Sequence, residues 1–129
     1  MADDGSRVPD NTARTSASTL FQDAGEAFKR GDYATALERY DAAHALYATI
    51  DGTQRDQASC LYNAGNALAA MGEHATALER HDAAHALFAT INGTQRDQAS
   101  CLNNAGNALK AMGEHATALE RYDSAYALF

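Results

Sequence analysis

The sequence predicts an all-α solenoid of about three stacked antiparallel helix hairpins. Three observations carry that expectation. The decapeptide GTQRDQASCL at residues 52–61 returns unchanged at residues 93–102, an offset of 41. Apolar residues between these landmarks recur at the three-and-four spacing of an α-helix rather than in alternation. Glycines fall at Gly31, Gly72 and Gly113, again 41 apart, where each helical stripe ends. A fixed period of this size marks supersecondary units that stack, each burying a face that it cannot bury alone.

Residues 1–16 are rich in Asp, Ser, Thr and Arg with a lone Pro9, and read as a disordered segment. The repeat domain is expected over 17–129, with repeats near 17–52, 53–93 and 94–129, the last one truncated. The first copy is degenerate in its front half, and its helices are expected at 18–30 and 33–50. In the second copy Thr53 reads as an N-cap, with Asp56 three residues on in a variant of the capping box. Leu61, Ala64, Leu68 and Met71 then form one stripe, which predicts a helix over 54–71. Gly72 stops it, and Glu73 places its charge at the start of a helix over 74–91. That helix carries Ala77, Leu78, His81, Ala84, Leu87, Phe88 and Ile91 on one side. The third copy repeats the pattern, with helices expected over 95–112 and 115–129. Residues 52–88 and 93–129 differ at five positions only: Tyr62/Asn103, Ala69/Lys110, His81/Tyr122, Ala83/Ser124 and His85/Tyr126.

The charge is −7, from 10 Lys and Arg against 17 Asp and Glu. Nucleic acid and anionic membrane surfaces select basic stripes, so neither is an expected partner. No apolar run approaches the ~18 residues of a spanning helix, and the N-terminus lacks the apolar core of a signal peptide. A cytoplasmic location is therefore the default expectation. Cys60 and Cys101 hold equivalent places in neighbouring copies. Stacked helices lie roughly 10 Å apart and a disulfide needs Cα atoms within about 7 Å, so both are expected as free thiols.

The run ASCLYNAGNALAAMGEHATALERHDAAHAL resembles a tetratricopeptide repeat. The matching places are Leu61, Ala64-Gly65, Leu68, Gly72, Ala77, His81 and Ala84. In the third copy they are Leu102, Ala105-Gly106, Leu109, Gly113, Ala118, Tyr122 and Ala125. In the first they are Leu20, Asp23-Ala24, Ala27, Gly31, Ala36, Tyr40 and Ala43. Three departures stand out: Leu replaces the usual Trp, His81 replaces an aromatic ring, and Asp23-Ala24 stands where small-Gly is usual, with Gly25 adjacent. The usual unit has about 34 residues. Here the extra length sits in ATIDGTQRD and ATINGTQRD and is expected to lengthen both helices across the turn between repeats. That period is similar to the long-repeat subclass of kinesin light chains and related bacterial regulators.

The resemblance implies a right-handed superhelix whose concave groove is lined by the first helix of each pair. On that helix the stripe opposite Leu61 and Leu68 is Ser59, Tyr62, Asn63, Asn66 and Ala69, and in the next copy Ser100, Asn103, Asn104, Asn107 and Lys110. Asn offers a donor and an acceptor together, which suits the backbone of an extended peptide. The resemblance thus implies a peptide-binding scaffold, with Ser59, Tyr62, Asn63, Asn66, Ser100, Asn103, Asn104, Asn107 and Lys110 as candidate contacts. The plainer reading has these amides solvated or supporting neighbouring helices. Lys110 and Lys29 are too few for a carboxylate clamp, and the acidic balance favours a neutral or basic protein partner.

No catalytic residue, cofactor or metal is expected. His81 and His85 stand four apart, but Tyr40 and Tyr122 occupy the first position in the other copies, which favours packing over metal binding. Phosphate loops, G-x-S-x-G and paired carboxylates are missing from the sequence. The third copy lacks a polar capping helix, so end-to-end association of copies through it is expected at high concentration. Two alternatives to the scaffold are a self-assembling structural repeat module and a regulatory fragment of a larger signalling protein or enzyme.

Overall fold

The computed structural model describes residues 2–129, with side chains from Asn11 onward. Residue 1 and the side chains of residues 2–10, part of the segment expected to be disordered, lie outside the described residues. Among the described residues there are six helices and no strand. They are α1 (Ala2–Lys29), α2 (Tyr33–Tyr47), α3 (Gln54–Ala70), α4 (His74–Phe88), α5 (Gln95–Ala111) and α6 (His115–Ala127). Helix α1 starts well before the expected residue 18. Its packed part begins at Ala17, since five of the six residues Asn11–Ser16 are exposed.

Each helix packs on its neighbours in sequence: α1 on α2, α2 on α3, and so on to α6. The chain is therefore quasi-one-dimensional, as stacked hairpins require. The core is built largely of alanine, which lets backbones approach closely. Ala24, Ala27, Ala36 and Tyr40 of the first hairpin meet Ala64 and Ala67 of α3. Phe21 packs edge-on against Tyr40 with ring centroids 5.4 Å apart. Ala58, Ala84 and Phe88 of the second hairpin meet Cys101 of α5. In the first copy Ala17, Ala24 and Ala27 are fully buried. They lie 41 residues before Ala58, Gly65 and Leu68, so Ala24 holds the place of Gly65 and the register of α1 is the one read from the repeat.

The turn inside each hairpin closes on glycine. Gly72 has φ +80°, a left-handed conformation that suits a residue without Cβ. Its amide bonds the carbonyl of Ala69 at 3.0 Å, and the Glu73 amide reaches back to Leu68 at 2.9 Å. That pair of bonds is the Schellman ending. Glu73 then heads α4 without a side-chain cap, whereas the shorter Asp32 in the first copy accepts from the Thr35 amide at 3.4 Å.

The connection between hairpins differs from expectation. Helices α2 and α4 end at Tyr47 and Phe88, not at residues 50 and 91. The extra residues form an ordered loop because hydroxyl groups take the carbonyls that a longer helix would have used. Thr49 donates to Leu46 O at 2.7 Å. The fully buried Thr53 donates to Tyr47 O at 2.6 Å and Ile50 O at 2.8 Å, and accepts from Gln57 Nε2 at 3.1 Å. Thr94 repeats this with Phe88 O, Ile91 O and Gln98. Thr53 is thus no side-chain N-cap. Its hydroxyl staples α3 to the preceding hairpin.

Candidate functional site

Helices α3 and α5 touch each other directly, as helices on the inner side of a curved stack do. On the other side α4 and α6 are bridged by long side chains. Arg121 reaches both carboxylate oxygens of Asp82 at 2.5 and 3.4 Å, and Arg80 holds Asp41 of α2 in the same way at 2.5 and 3.3 Å.

On the α3/α5 side the candidate residues are divided among three places. Asn66, Asn104 and Asn107 line a cleft of about 160 Å³ together with Ala69, His74, His81 and Ala108. Ser59, Tyr62, Asn63 and Ser100 line a second cleft of about 220 Å³ with Phe88 and Asp97. Asn103 lies elsewhere, on the free face of the third hairpin beside Ala99, Tyr122, Ala125, Tyr126 and Phe129. Lys110 is exposed and lines none of these.

Asn104 is part of the joint between hairpins. Its Nδ2 donates to Tyr62 Oη at 3.1 Å and to Asn66 Oδ1 at 3.0 Å. Asn63, its equivalent one copy earlier, faces a first copy that has Phe21 and Gly25 at those places, and neither side chain can accept. Asn63 therefore turns its amide to the Ser59 carbonyl of its own helix at 2.8 Å. Asn107 Oδ1 accepts from Tyr122 Oη at 2.6 Å.

His81 shapes the first cleft. It is 1% exposed, packs edge-on against Tyr62 with centroids 5.5 Å apart, and lies over Gly65. A Cβ at Gly65 would stand 2.7 Å from His81 Cε1, so only glycine leaves room for the ring. Its Nδ1 is buried without a hydrogen-bond partner. Burial pushes the imidazole pKa down to about 4, against a smaller upward pull from Asp82, so the ring is neutral at pH 7. His85 lies apart from it, in a different cleft with Asp82, Leu102, Arg121 and Ser124. The histidine pair thus splits between two faces.

Cys60 and Cys101 are buried free thiols. Burial, with help from Asp56 and Asp41 for one and from Asp97 and Asp82 for the other, pushes both up to about 12. Neither is an activated nucleophile. Among the described residues no three His, Cys, Asp or Glu side chains gather as metal ligands. No described helix is long and apolar enough to cross a membrane.

A sequence profile described as tetratricopeptide repeat matches residues 17–88 and 56–129. The chain belongs to the tetratricopeptide repeat family. Its 41-residue period is that of the long-repeat, kinesin-light-chain-like subclass. Among solved structures it is similar to BtubC (BKLC) from P. vanneervenii, with TM-score 0.80 and 22% identity over 87% of this chain. The chain spans 46% of the length of that protein. It is also similar to the TPR domain of Arabidopsis FLU, with TM-score 0.77 and 12% identity, covering 89% of this chain and 95% of that one. At these identities the likeness establishes the fold. No curated protein sequence matches. Tetratricopeptide repeats generally mediate protein–protein interaction, and proteins of this family generally bind protein partners.

One feature of the site escaped sequence reasoning. The cleft around His81 needs His74, which the inward stripe ending at Ala69 does not include. Comparing the second and third copies points to Ala69 and His81, two of their five differences, but not to His74, whose equivalent is His115.

Proposed function

We propose that this chain is an interaction scaffold that holds a peptide segment along the α3/α5 side of the stack. The observation that carries the reading is the run of hydrogen-bonding side chains there, uncharged but for Asp97. Asn66, Asn104 and Asn107 line one cleft, and Ser59, Tyr62, Asn63 and Ser100 the next. Such groups pair with peptide N–H and C=O alike, and they ask little of the ligand's sequence. The proposal includes no turnover and places the protein in the cytoplasm.

Selection of a random peptide library on the immobilised chain tests the reading. Selected peptides should shift the side-chain amide resonances of Asn63, Asn66 and Asn107, and Asn63→Ala should weaken them with helicity unchanged. Asn63 is the cleaner target, since Asn104 also holds a joint. Peptides that perturb only the Arg80/Arg121 side would sink the groove.

A second reading, self-association, rests on the free face of the third hairpin. Tyr126 is 86% and Phe129 80% exposed, whereas the equivalent Phe88 is 3% exposed under the next hairpin. Head-to-tail stacking is disfavoured. Where α3 and α5 offer Cys60/Cys101, Ala64/Ala105 and Ala67/Ala108, α1 offers the exposed Thr19, Asp23 and Glu26. Two copies would meet through their third hairpins instead, about a two-fold axis. Light scattering against concentration decides it: a dimer plateau supports this arrangement, and open-ended growth or a monomer at all concentrations refutes it.

A further inference from the structure

The cleft at His81 exists at one joint because the second copy is trimmed there. At the same places the first copy has Phe28 for Ala69, Tyr33 for His74 and Tyr40 for His81. Phe28 and Tyr33 pack edge-on at 5.1 Å and occupy the corresponding space. In the third copy Lys110 and Tyr122 stand for Ala69 and His81, and the Tyr122 hydroxyl crosses to Asn107. Only the second copy combines a methyl group, two imidazoles and a carboxamide around an open space.

The polar groups of this space are specific in kind. Asn104 spends its NH₂ on Tyr62 and Asn66, which leaves its Oδ1 as an acceptor. Asn66 and Asn107 accept through Oδ1 from Asn104 and Tyr122, which leaves their NH₂ groups as donors. His81 adds an imidazole, more than nine-tenths buried, whose Nδ1 has no partner. No Asp, Glu, Lys or Arg lines the cleft.

From this we infer that the cleft between α3, α4 and α5 is a side-chain pocket for a neutral carboxamide, a Gln or Asn of the bound segment; this rests on the peptide-groove reading above. A carboxamide presents one acceptor to the NH₂ groups of Asn66 and Asn107 and one donor edge to Asn104 Oδ1. A carboxylate meets the two donors but turns its charge on the Asn104 oxygen with no cation beside it. An ammonium meets the acceptor but faces both NH₂ groups. An aliphatic side chain leaves all of them without partners, and each such loss is costly in a confined site. A volume of about 160 Å³ admits a side-chain end and little more.

Capped pentapeptides Ala-Ala-Xaa-Ala-Ala, with Xaa as Gln, Met, Glu or Lys, test the pocket by NMR titration of the ¹⁵N-labelled full chain. Met matches Gln in length without its polarity. The Gln peptide should bind at least about tenfold more tightly than the other three, with the largest shifts at the Asn66 and Asn107 side-chain amides. Ala69→Phe, which restores the first copy's residue, should remove that preference. His81→Tyr, the residue of both other copies, should do the same by placing a hydroxyl across to Asn66 as Tyr122 does to Asn107, and it serves if the Phe variant fails to fold. Equal binding of all four peptides, or a Gln preference that survives in the folded variants, overturns the pocket and leaves the groove standing. Absence of binding by any of the four overturns both.

Discussion

Thr53 offers the sharpest test of how these hairpins are joined. Its hydroxyl is fully buried and donates toward two carbonyls of the preceding hairpin, Tyr47 O at 2.6 Å and Ile50 O at 2.8 Å. Thr53→Val keeps the shape and removes the donor. Ile50 O then loses its hydroxyl partner in a dry joint, while Tyr47 O keeps the Ile50 amide at 2.9 Å, at about 1–3 kcal/mol. With a urea slope of about 2 kcal/mol/M, the midpoint of unfolding followed by circular dichroism should fall by about 0.5–1.5 M. Thr94→Val should cost the same, because Thr94 makes the same bonds one copy later. The two sites share no partner, so the double variant should lose the sum within about 0.5 kcal/mol. Thr53→Asp separates this account from helix capping. Asp is a good N-cap and would restore a capping threonine. It has two carbonyl oxygens against it and only Gln57 Nε2 to donate to it, so it should destabilise at least as much as Val. A Thr53→Asp protein as stable as wild type would refute the staple.

Three further outcomes follow from the same structure. Burial lowers the folded-state pKa of His81 from 6.5 to about 4, so the unfolded chain takes up the proton first as pH falls. The stability held by the neutral ring is complete above pH 6.5 and drains between 6.5 and 4, about 3 kcal/mol in all; His81→Tyr should flatten that slope in chemical denaturation, and an unchanged slope contradicts it. Cys60 and Cys101, with thiol pKa values raised to about 12, should resist a thiol-reactive dye at pH 8 until denaturant is added, and reaction at the rate of a free thiol contradicts their burial. Asp82 and Arg121 are 43% and 29% exposed, so solvent screens the pair despite its two-point contact. A double-mutant cycle with Asp82→Asn and Arg121→Gln should show about 0.5–1 kcal/mol of coupling that shrinks in high salt, and zero coupling at low salt contradicts it.

The fold was legible in the letters because packing here is periodic. A buried stripe at three-and-four spacing, ended by Gly31, Gly72 or Gly113, needs no long-range information. The register of α1 was less legible, since Asp23-Ala24 departs from the usual pair with Gly25 beside it; the burial of Ala17, Ala24 and Ala27 shows that α1 keeps the 41-residue offset. What was not legible depends on where a side chain points between hairpins. A threonine one residue before a helix reads as a cap, yet the Thr53 hydroxyl turns backward because the last carbonyls of α2 lie within its reach. The loops at 48–53 and 89–94 follow from that choice. The cleft at His81 was hidden in the same way. Its walls come from α3, α4 and α5 at once, and only the comparison of Phe28, Ala69 and Lys110 betrays the space.

Asn63 and Asn104 bring these points together. They occupy one letter of one repeated sentence, and local sequence cannot tell them apart. Yet Asn104 ties two hairpins through Tyr62 and Asn66, while Asn63 bonds only to its own helix at Ser59. The difference lies in the copy that precedes each. Phe21 and Gly25 give Asn63 nothing to hold, and Tyr62 and Asn66 give Asn104 two acceptors. A solenoid module is thus defined by its lower neighbour as much as by its own residues. The first copy is polar at Thr19, Asp23 and Glu26 and carries an aromatic pair, Phe28 and Tyr33, where the second has Ala69 and His74. The second joint is left open and lined with the amides of Asn66, Asn104 and Asn107, which is why the proposed ligand is placed there.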